Sequence, residues 1–502
     1  MQIFKSIRIN LLLCFALLFV CGVVYAQPDV NSEQIGNNLK QHIEFLCSPK
    51  LMGRSTLTGH DRLASLYVDS VFLSFNLMGF PNFAEVTYTQ KFNVYNTIST
   101  QQLLIVNDET FLFKDDFVYV GKMPPLDKQF EVVFGGVFNE QSIKKLDLSG
   151  KALLVFAENF GLVSIQIQQV ASDAGCSLVL VVNPLHQTGF YSLSRKVRAN
   201  DAFANFRIEP KKEPLVRSLL SRTKGNVPVV FITDRVAKSI LRVDSKDLLQ
   251  KIEKNAPISL PSIQSKIVFA LNQQIDTLPT QNVVGWIAAQ EQTQQSVVVS
   301  AHFDHLAPQG QYWYPGADDN ASGTAVMLEV ARLLSEDLKT GYKPRRNIVF
   351  AGFTAEEIGL LGSQYYSLNP IFCTDSTAAF INIDMVGRLV ETGGNSKNIF
   401  VNGDNRIEEF LQTLNTLNSD TTQVIDTKMF TGTDDILLSD YFHYNKLGLP
   451  SYLLTTGLHI DYHRPTDTPE KLSYTGMTKI VRLVYDAIRY YADTENPWAV
   501  RE

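Results

Sequence analysis

The sequence predicts an α/β protein, with a mixed, mostly parallel sheet sandwiched by helices and interrupted by a β-rich insertion. Three observations lead there. Short, unbroken apolar runs at Val297 to Ser300, Asn347 to Phe353 and Ala379 to Ile383 are the pattern of strands covered on both faces. Amphipathic helical stretches alternate with these runs, the order of strand–helix–strand units. Between Tyr88 and about Ile263 the texture changes to short β-like runs separated by turns.

At 502 residues, 45% of them hydrophobic, the chain has material for two or three folded units and is not a disordered polymer. The formal net charge is −6, with 45 Lys and Arg against 51 Asp and Glu. That balance argues against nucleic acid as the main partner, since a phosphate backbone calls for a basic face.

Residues 1–26 read as a signal peptide. Lys5 and Arg8 open it, Leu11 to Val24 form an apolar run, and Val24-Tyr25-Ala26 ends it at a cleavable position. The run is shorter than the roughly 20 residues that span a bilayer. The expectation is export, periplasmic or extracellular, with no stable membrane insertion after signal removal. The other readings are an uncleaved anchor and lipidation at Cys21, which Phe19 and Val20 disfavour. Cys47, Cys176 and Cys373 remain beyond the signal, too few for a disulfide scaffold, and they are expected to be small buried hydrophobes.

Residues 27–95 are expected to be the helical start of the main domain. Leu39, Ile43 and Leu46 recur at helical spacing, as do Leu63, Leu66, Tyr67, Val71 and Phe75, on either side of a turn-rich connector at 48–59. The β-like texture opens with a run at Lys91 to Tyr95, and residues 96–265 are expected to form the inserted domain, with strands near Ala152 to Phe156, Leu178 to Val182 and Val227 to Ile232, and a helix over Ser164 to Ala174. Lys251 to Thr280, with Pro257, Pro261 and Pro279, reads as the return linker. Residues 266–502 complete the main domain, closing on a helix whose stripe is Met477, Ile480, Val481, Val484 and Ile488.

Chemistry-bearing residues gather at the ends of the predicted strands, where open α/β sheets place their sites. Val297 to Ala301 runs into His302, Asp304 and His305, an arrangement that suits a ligand imidazole held by a carboxylate, or a strand-end turn with polar caps. Asp318 and Asp319 sit among small residues before a helix, where two adjacent acids call for a cation or serve as an N-cap. Phe350 to Phe353 leads into Glu356 and Glu357, Phe380 to Ile383 leads into Asp384, and Asp461-Tyr462-His463 precedes Asp467. Two histidines and three carboxylates with a spare glutamate suit a pair of zinc or related ions that share one carboxylate. Asn320-Ala-Ser322 fits a glycosylation sequon, but its place inside this loop makes the match a coincidence. There is no His-Glu-x-x-His helix, Gly-x-Ser-x-Gly elbow or phosphate-binding loop.

With these residues assembled, segment 281–492 resembles the co-catalytic di-zinc metallopeptidases, the family of secreted bacterial aminopeptidases and glutamate carboxypeptidase II (peptidase family M28-like). The resemblance rests on Ser300-Ala-His302-Phe-Asp304-His305, Gly316 to Gly323, Thr354 to Ser363, Asn382-Ile-Asp384-Met and Asp461 to Thr468, in that order, and extends to Leu46 to Arg54. It implies one zinc on His302 and Asp384, a second on Glu357 and His463, and Asp319 between them. It also implies Glu356 as general base, Asp304 orienting His302, and Tyr462 as oxyanion donor. Tyr441 stands where the family commonly shows histidine. The insertion resembles a protease-associated domain, through Leu148 to Phe156, Ala171 to Val182 and Val227 to Thr233, whose role would be to restrict access. The function so implied is an exported exopeptidase acting on peptide substrates, with aminopeptidase action in first place. A glutamate carboxypeptidase, a single-zinc glutaminyl cyclase and a non-catalytic binding ectodomain are the alternatives.

Overall fold

The buried stripe Ile35, Leu39, Ile43 and Leu46 makes helix α1, Ser32–Leu46, and Ala64, Val68 and Phe72 make the inner face of α2, Asp61–Ser74. The chain is described by a computed structural model for residues 32–80, 87–119, 128–158, 160–194, 206–208, 227–256, 266–389, 398–419, 425–429 and 439–498; the predicted signal peptide lies outside them. Between α1 and α2 the connector makes two short 3-10 turns, Pro49–Arg54 and Thr56–Thr58. Gly53 is required there: its φ is +79°, and a Cβ would lie 2.2 Å from the Leu306 carbonyl oxygen.

Fifteen strands follow among the described residues: β1 Thr89–Val106, β2 Glu109–Leu112, β3 Phe117–Tyr119, β4 Lys128–Val137, β5 Ala152–Phe156, β6 Leu178–Val182, β7 Phe206–Ile208 and β8 Val229–Ile232 come first. The rest are β9 Lys266–Ile287, β10 Ser296–His302, β11 Asn347–Phe353, β12 Thr377–Ile383, β13 Asn398–Gly403, β14 Asp426–Met429 and β15 Ser451–Thr455. The main half runs in the order β14-β13-β15-β12-β10-β11-β9. Strands β10, β11, β12 and β15 are parallel, with β9 antiparallel at β11 and β13 antiparallel at β15. Register places His302 opposite Phe353 and Ser300 opposite Asn382, so the loops that follow β10, β11 and β12 leave one edge of the sheet together. One main core packs the sheet against α1, α2, Gly323–Lys339 and Tyr474–Asp493. All five residues of the predicted C-terminal stripe are buried in it, each contributing about 1.5–3 kcal/mol.

Two expectations change. The insertion is layered, not merely β-rich: β4, β5, β6 and β8 are parallel, and helices cover both faces of their sheet. Alternation along β5 shows it, with Leu154 and Phe156 packing with Val236 and Leu248 of the helices Asp234–Leu241 and Ser245–Glu253, and Leu153 and Val155 packing with Ile167 and Val170 of Phe160–Asp173. Nor is Lys251 to Thr280 a linker where it is described. The helix Ser245–Glu253 occupies its start, and from Lys266 it is β9, a strand of 22 residues. Strand β9 pairs with β1 from Thr89↔Val283 to Val106↔Ile267, joining the two halves of the sheet and running across the expected boundary at 265/266, as β1 crosses 95/96. Partners on its other edge are β4 at 266–269 and β11 at 283–287. Pro279 falls between those stretches, where that edge of β9 has no strand partner among the described residues. Cys47 and Cys176 are buried as expected, whereas Cys373 is exposed.

Candidate metal centre

The parallel register gathers His302 from the end of β10, Glu356 and Glu357 from the loop after β11, and Asp384 from the end of β12. Asp319, from the loop before Gly323–Lys339, and His463, from the loop 461–467, complete the group. Nε2 of His302 lies 3.3 Å from Asp384 Oδ1 and 3.5 Å from Asp319 Oδ1. Nε2 of His463 lies 3.0 Å from Asp319 Oδ2 and 3.2 Å from Glu357 Oε2. Asp319 thus turns a different oxygen toward each imidazole. His302 Nε2, Asp384 Oδ1 and Asp319 Oδ2 are buried without a hydrogen-bond partner. Such atoms cost about 1–3 kcal/mol each when left unmade, and imidazole nitrogen facing carboxylate oxygen is the donor set of a borderline divalent cation. The residues fit a metal pair.

Each donor is held from behind. Ser439 donates to Asp384 Oδ2 at 2.6 Å, Asn382 Nδ2 to Ser439 at 2.7 Å, and Ser300 to Asn382 at 2.8 Å, which leaves Asp384 Oδ1 free. Asp467 Oδ2 accepts the main-chain N–H groups of Asp318 at 2.8 Å and Asp319 at 3.2 Å, and its Oδ1 accepts from Arg388 at 2.9 Å. The Asp319–Asn320 peptide is cis, and the Asn320 amide bonds Ile383 O, Gly323 N and Met385 N, so the sequon asparagine is buried and committed. Arg54 is fully buried and donates to the carbonyls of Phe303, Leu46, Pro315, Gly316 and Asp319, a cation solvated by peptide dipoles. Gly316, at φ +57°, has no room for a Cβ, which would lie 2.3 Å from Asp319 O. Ala355, Met385 and His463, each beside or within the site, hold left-handed φ of 56°, 57° and 55°.

Charge is the second feature. Burial pushes Asp319 above the usual carboxylate range, with Glu357 adding to the shift. Burial also pushes Glu356 well up, reinforced by Glu357, Asp440 and Asp384 and opposed by His302. Burial acts the same way on Glu357, but His305 and His463 outweigh it and hold that carboxyl well below the ordinary value. Burial opposes protonation of His463, yet its contacts with Asp319 and Glu357 lift it to about 10. Without a cation, the raised carboxyls of Asp319 and Glu356 and the raised imidazole of His463 offset the charge that Glu357 keeps.

Asp304 does more than face His302. Its Oδ1 is 3.7 Å from His302 Nδ1, beyond hydrogen-bond length, while Nδ1 meets the Asp304 main-chain oxygen at 3.2 Å. The same Oδ1 accepts the Glu356 N–H at 3.1 Å. Tyr462 stacks on His463 with ring centroids 3.8 Å apart and lines the cleft with Glu356, Asp384, Met385 and Leu458. Burial and the acids around it raise its phenol, so it stays an O–H donor. His305 received no role from its sequence. Its Nδ1 lies 2.6 Å from Glu357 Oε1, leaving Oε2 toward His463, and it groups with Asp319 and Glu357 as a possible metal set. Its place directly after Asp304 was the signal available. Tyr441 is buried in a separate apolar cluster and holds no donor of the site.

Paired donor groups at one edge of the sheet could hold two metal ions. Residues 282–488 match the sequence profile of Peptidase family M28. It is similar to aminopeptidase NAALADL1 of Mus musculus, 34% identical over 123 residues, covering 24% of this chain and 16% of the relative. It is also similar to a probable glutamate carboxypeptidase, LAMP1, of Arabidopsis thaliana, 36% identical over 105 residues, 21% of this chain and 14% of the relative. The chain therefore spans less than a fifth of these relatives' lengths. A solved aminopeptidase from Aneurinibacillus sp. strain AM-1 superposes with a TM-score of 0.51 at 20% identity, over 93% of this chain and 96% of its own, which shows a shared fold.

Proposed function

We propose that the chain is a di-zinc exopeptidase that releases amino-terminal residues from peptides. One observation carries the reading: Asp319 faces His302 with Oδ1 and His463 with Oδ2, so two donor groups share one carboxylate. His302 and Asp384 would hold one zinc, Glu357 and His463 the other, and Asp319 both. When bound, such a pair acidifies water and polarises a carbonyl. Glu356 is the base, because its carboxyl lies at the cleft and is only 3.9 Å from His302 Nε2 without belonging to either donor group. It takes a proton from the attacking water and delivers it to the leaving amine. The Tyr462 O–H donates to the oxygen on which charge develops. His305 orients Glu357.

The aminopeptidase reading is supported by the relative and the solved structure bearing that name; the carboxypeptidase relative keeps the second reading alive. The inserted domain is proposed to restrict access to the cleft. The basic, apolar and cleavable segments of residues 1–26 support export. No helix among the described residues is long and apolar enough to cross a membrane.

Zinc per purified chain, measured beside hydrolysis of free and amino- or carboxyl-blocked peptides, is the test. About two zincs with chelator-sensitive release of amino-terminal residues supports the reading. Release only of carboxyl-terminal residues makes it a carboxypeptidase. One zinc with cyclisation of amino-terminal glutamine makes it a cyclase, and neither metal nor turnover makes it a binding ectodomain.

A further inference from the structure

We propose that Asp61 is a positioning residue for Glu356, clamping the loop that carries the base to the strand that enters from the inserted domain. The inference rests on the reading of Glu356 above. Asp61 is the first residue of α2, 1% exposed, and touches none of the proposed metal donors. Its Oδ2 accepts the hydroxyls of Thr280 and Thr354, the latter at 2.9 Å, while its Oδ1 has no hydrogen-bond partner. Thr354 Oγ1 is 3.1 Å from Thr56 Oγ1. Thr56 donates to Asp304 Oδ2 at 3.4 Å and accepts the Ala355 N–H at 3.2 Å, and Asp304 Oδ1 accepts the Glu356 N–H. A hydroxyl has a single proton, and one arrangement that serves both carboxylates has Thr280 and Thr354 donating to Asp61 and Thr56 donating to Asp304; Thr280 also lies 3.2 Å from Thr354 Oγ1.

Strand β9 grips the same loop a second time. Thr280 and Asn282, two residues apart, share a strand face. Asn282 Oδ1 accepts the Thr354 N–H at 3.3 Å, and its Nδ2 donates to Gly362 O at 2.9 Å. The loop 354–362 is thereby tied near both ends to a strand that continues into the insertion. Ala355, the residue before Glu356, holds φ 56°, a conformation that persists only where its surroundings impose it. Asp61, through Thr354 and Thr56, supplies part of that constraint. Asparagine is the conservative replacement, since its carbonyl can take both hydroxyls and its amide the site of the partnerless oxygen.

The experiment compares full-length, zinc-loaded wild type with D61A, D61N and Thr280→Val, reading kcat, KM, bound zinc and amide hydrogen exchange over 354–362. Displacing a base by a fraction of an ångström costs roughly 10- to 100-fold. D61A is therefore expected to lose about that factor in kcat with KM within about twofold and zinc unchanged. D61N is expected to recover most of it, and T280V to fall between. Exchange in 354–362 rises at least tenfold in D61A, while the helix Tyr474–Asp493 is unaffected. Wild-type kcat and exchange in D61A overturn the inference, as does a D61N loss equal to that of D61A. If D61A does not fold, T280V decides by the same readings. If wild type cleaves no peptide, the proposed function fails, and exchange alone still decides the role of Asp61.

Discussion

His463 and Asp319 meet at 3.0 Å, Nε2 to Oδ2, although they come from loops far apart in the chain. Asp467, in the same loop as His463, accepts the N–H groups of Asp318 and Asp319, so one turn both presents an imidazole and fixes the main chain of its partner. The arrangement couples the two donor groups through the backbone and makes the site sensitive to residues that would touch no metal.

The base can be tested without disturbing the donors. E356Q is expected to keep wild-type zinc content while kcat falls by about 10²–10⁴. Metal analysis beside turnover checks it, and a variant with full activity removes Glu356 from the mechanism.

Zinc uptake is expected to release protons and to strengthen as pH rises. His463, lifted to about 10, must lose its proton to become a ligand, and His302, raised well above the ordinary imidazole value by Glu356 and Asp384 despite its burial, must do the same. Calorimetric titration of metal-free protein in buffers of different ionisation enthalpy counts the protons. Affinity independent of pH between 6 and 8 contradicts the prediction.

Asp467 bears on metal affinity from outside the donor set. D467N turns an amide N–H against either Arg388 or the Asp318 and Asp319 N–H groups, where two acceptor oxygens are needed. Zinc affinity is expected to fall about 10- to 100-fold, read by competition with a chelating dye.

Arg54 is a stability residue. R54A leaves five buried carbonyls short of a donor, and the expected loss is about 3–5 kcal/mol, measured by urea unfolding of the metal-free protein. R54K, whose ammonium cannot fork among the five, loses stability in the same direction.

Asp61 gives a pH-dependent stability. Burial raises its carboxyl to about 6, against 3.8 when unperturbed, so the folded state binds the proton more tightly than the unfolded one. Its contribution is full below about pH 4 and is lost as pH rises to about 6. D61N has no such loss, so its unfolding free energy relative to wild type is expected to climb from pH 4 to pH 7, by at most about 3 kcal/mol, read by urea unfolding at each pH. A difference constant with pH places the carboxyl at its ordinary value.

The predicted strands and the closing helix were legible because burial on both faces, or along one stripe, imposes its period on the sequence. Strand β9 was not, because a proline such as Pro279 punctuates a linker and the unpaired edge of a strand alike. Only the positions of β4 and β11 distinguish them. Arg54, Asp61, Asp467 and His305 escaped for a related reason: they act on main-chain atoms or on partners that the sequence does not place beside them.

By itself, the sequence determined the alternation of strand and helix and which residue types stand at the strand ends, because hydrophobic period and polar termination are local properties. Tertiary structure decided which carboxylate oxygen faces which imidazole, that His305 contacts Glu357, and that strand β9, which joins the two halves of the sheet, grips the loop that carries Glu356. Those relations are distances between segments far apart in the chain, and they exist only once the parallel register has brought the strand ends to one edge.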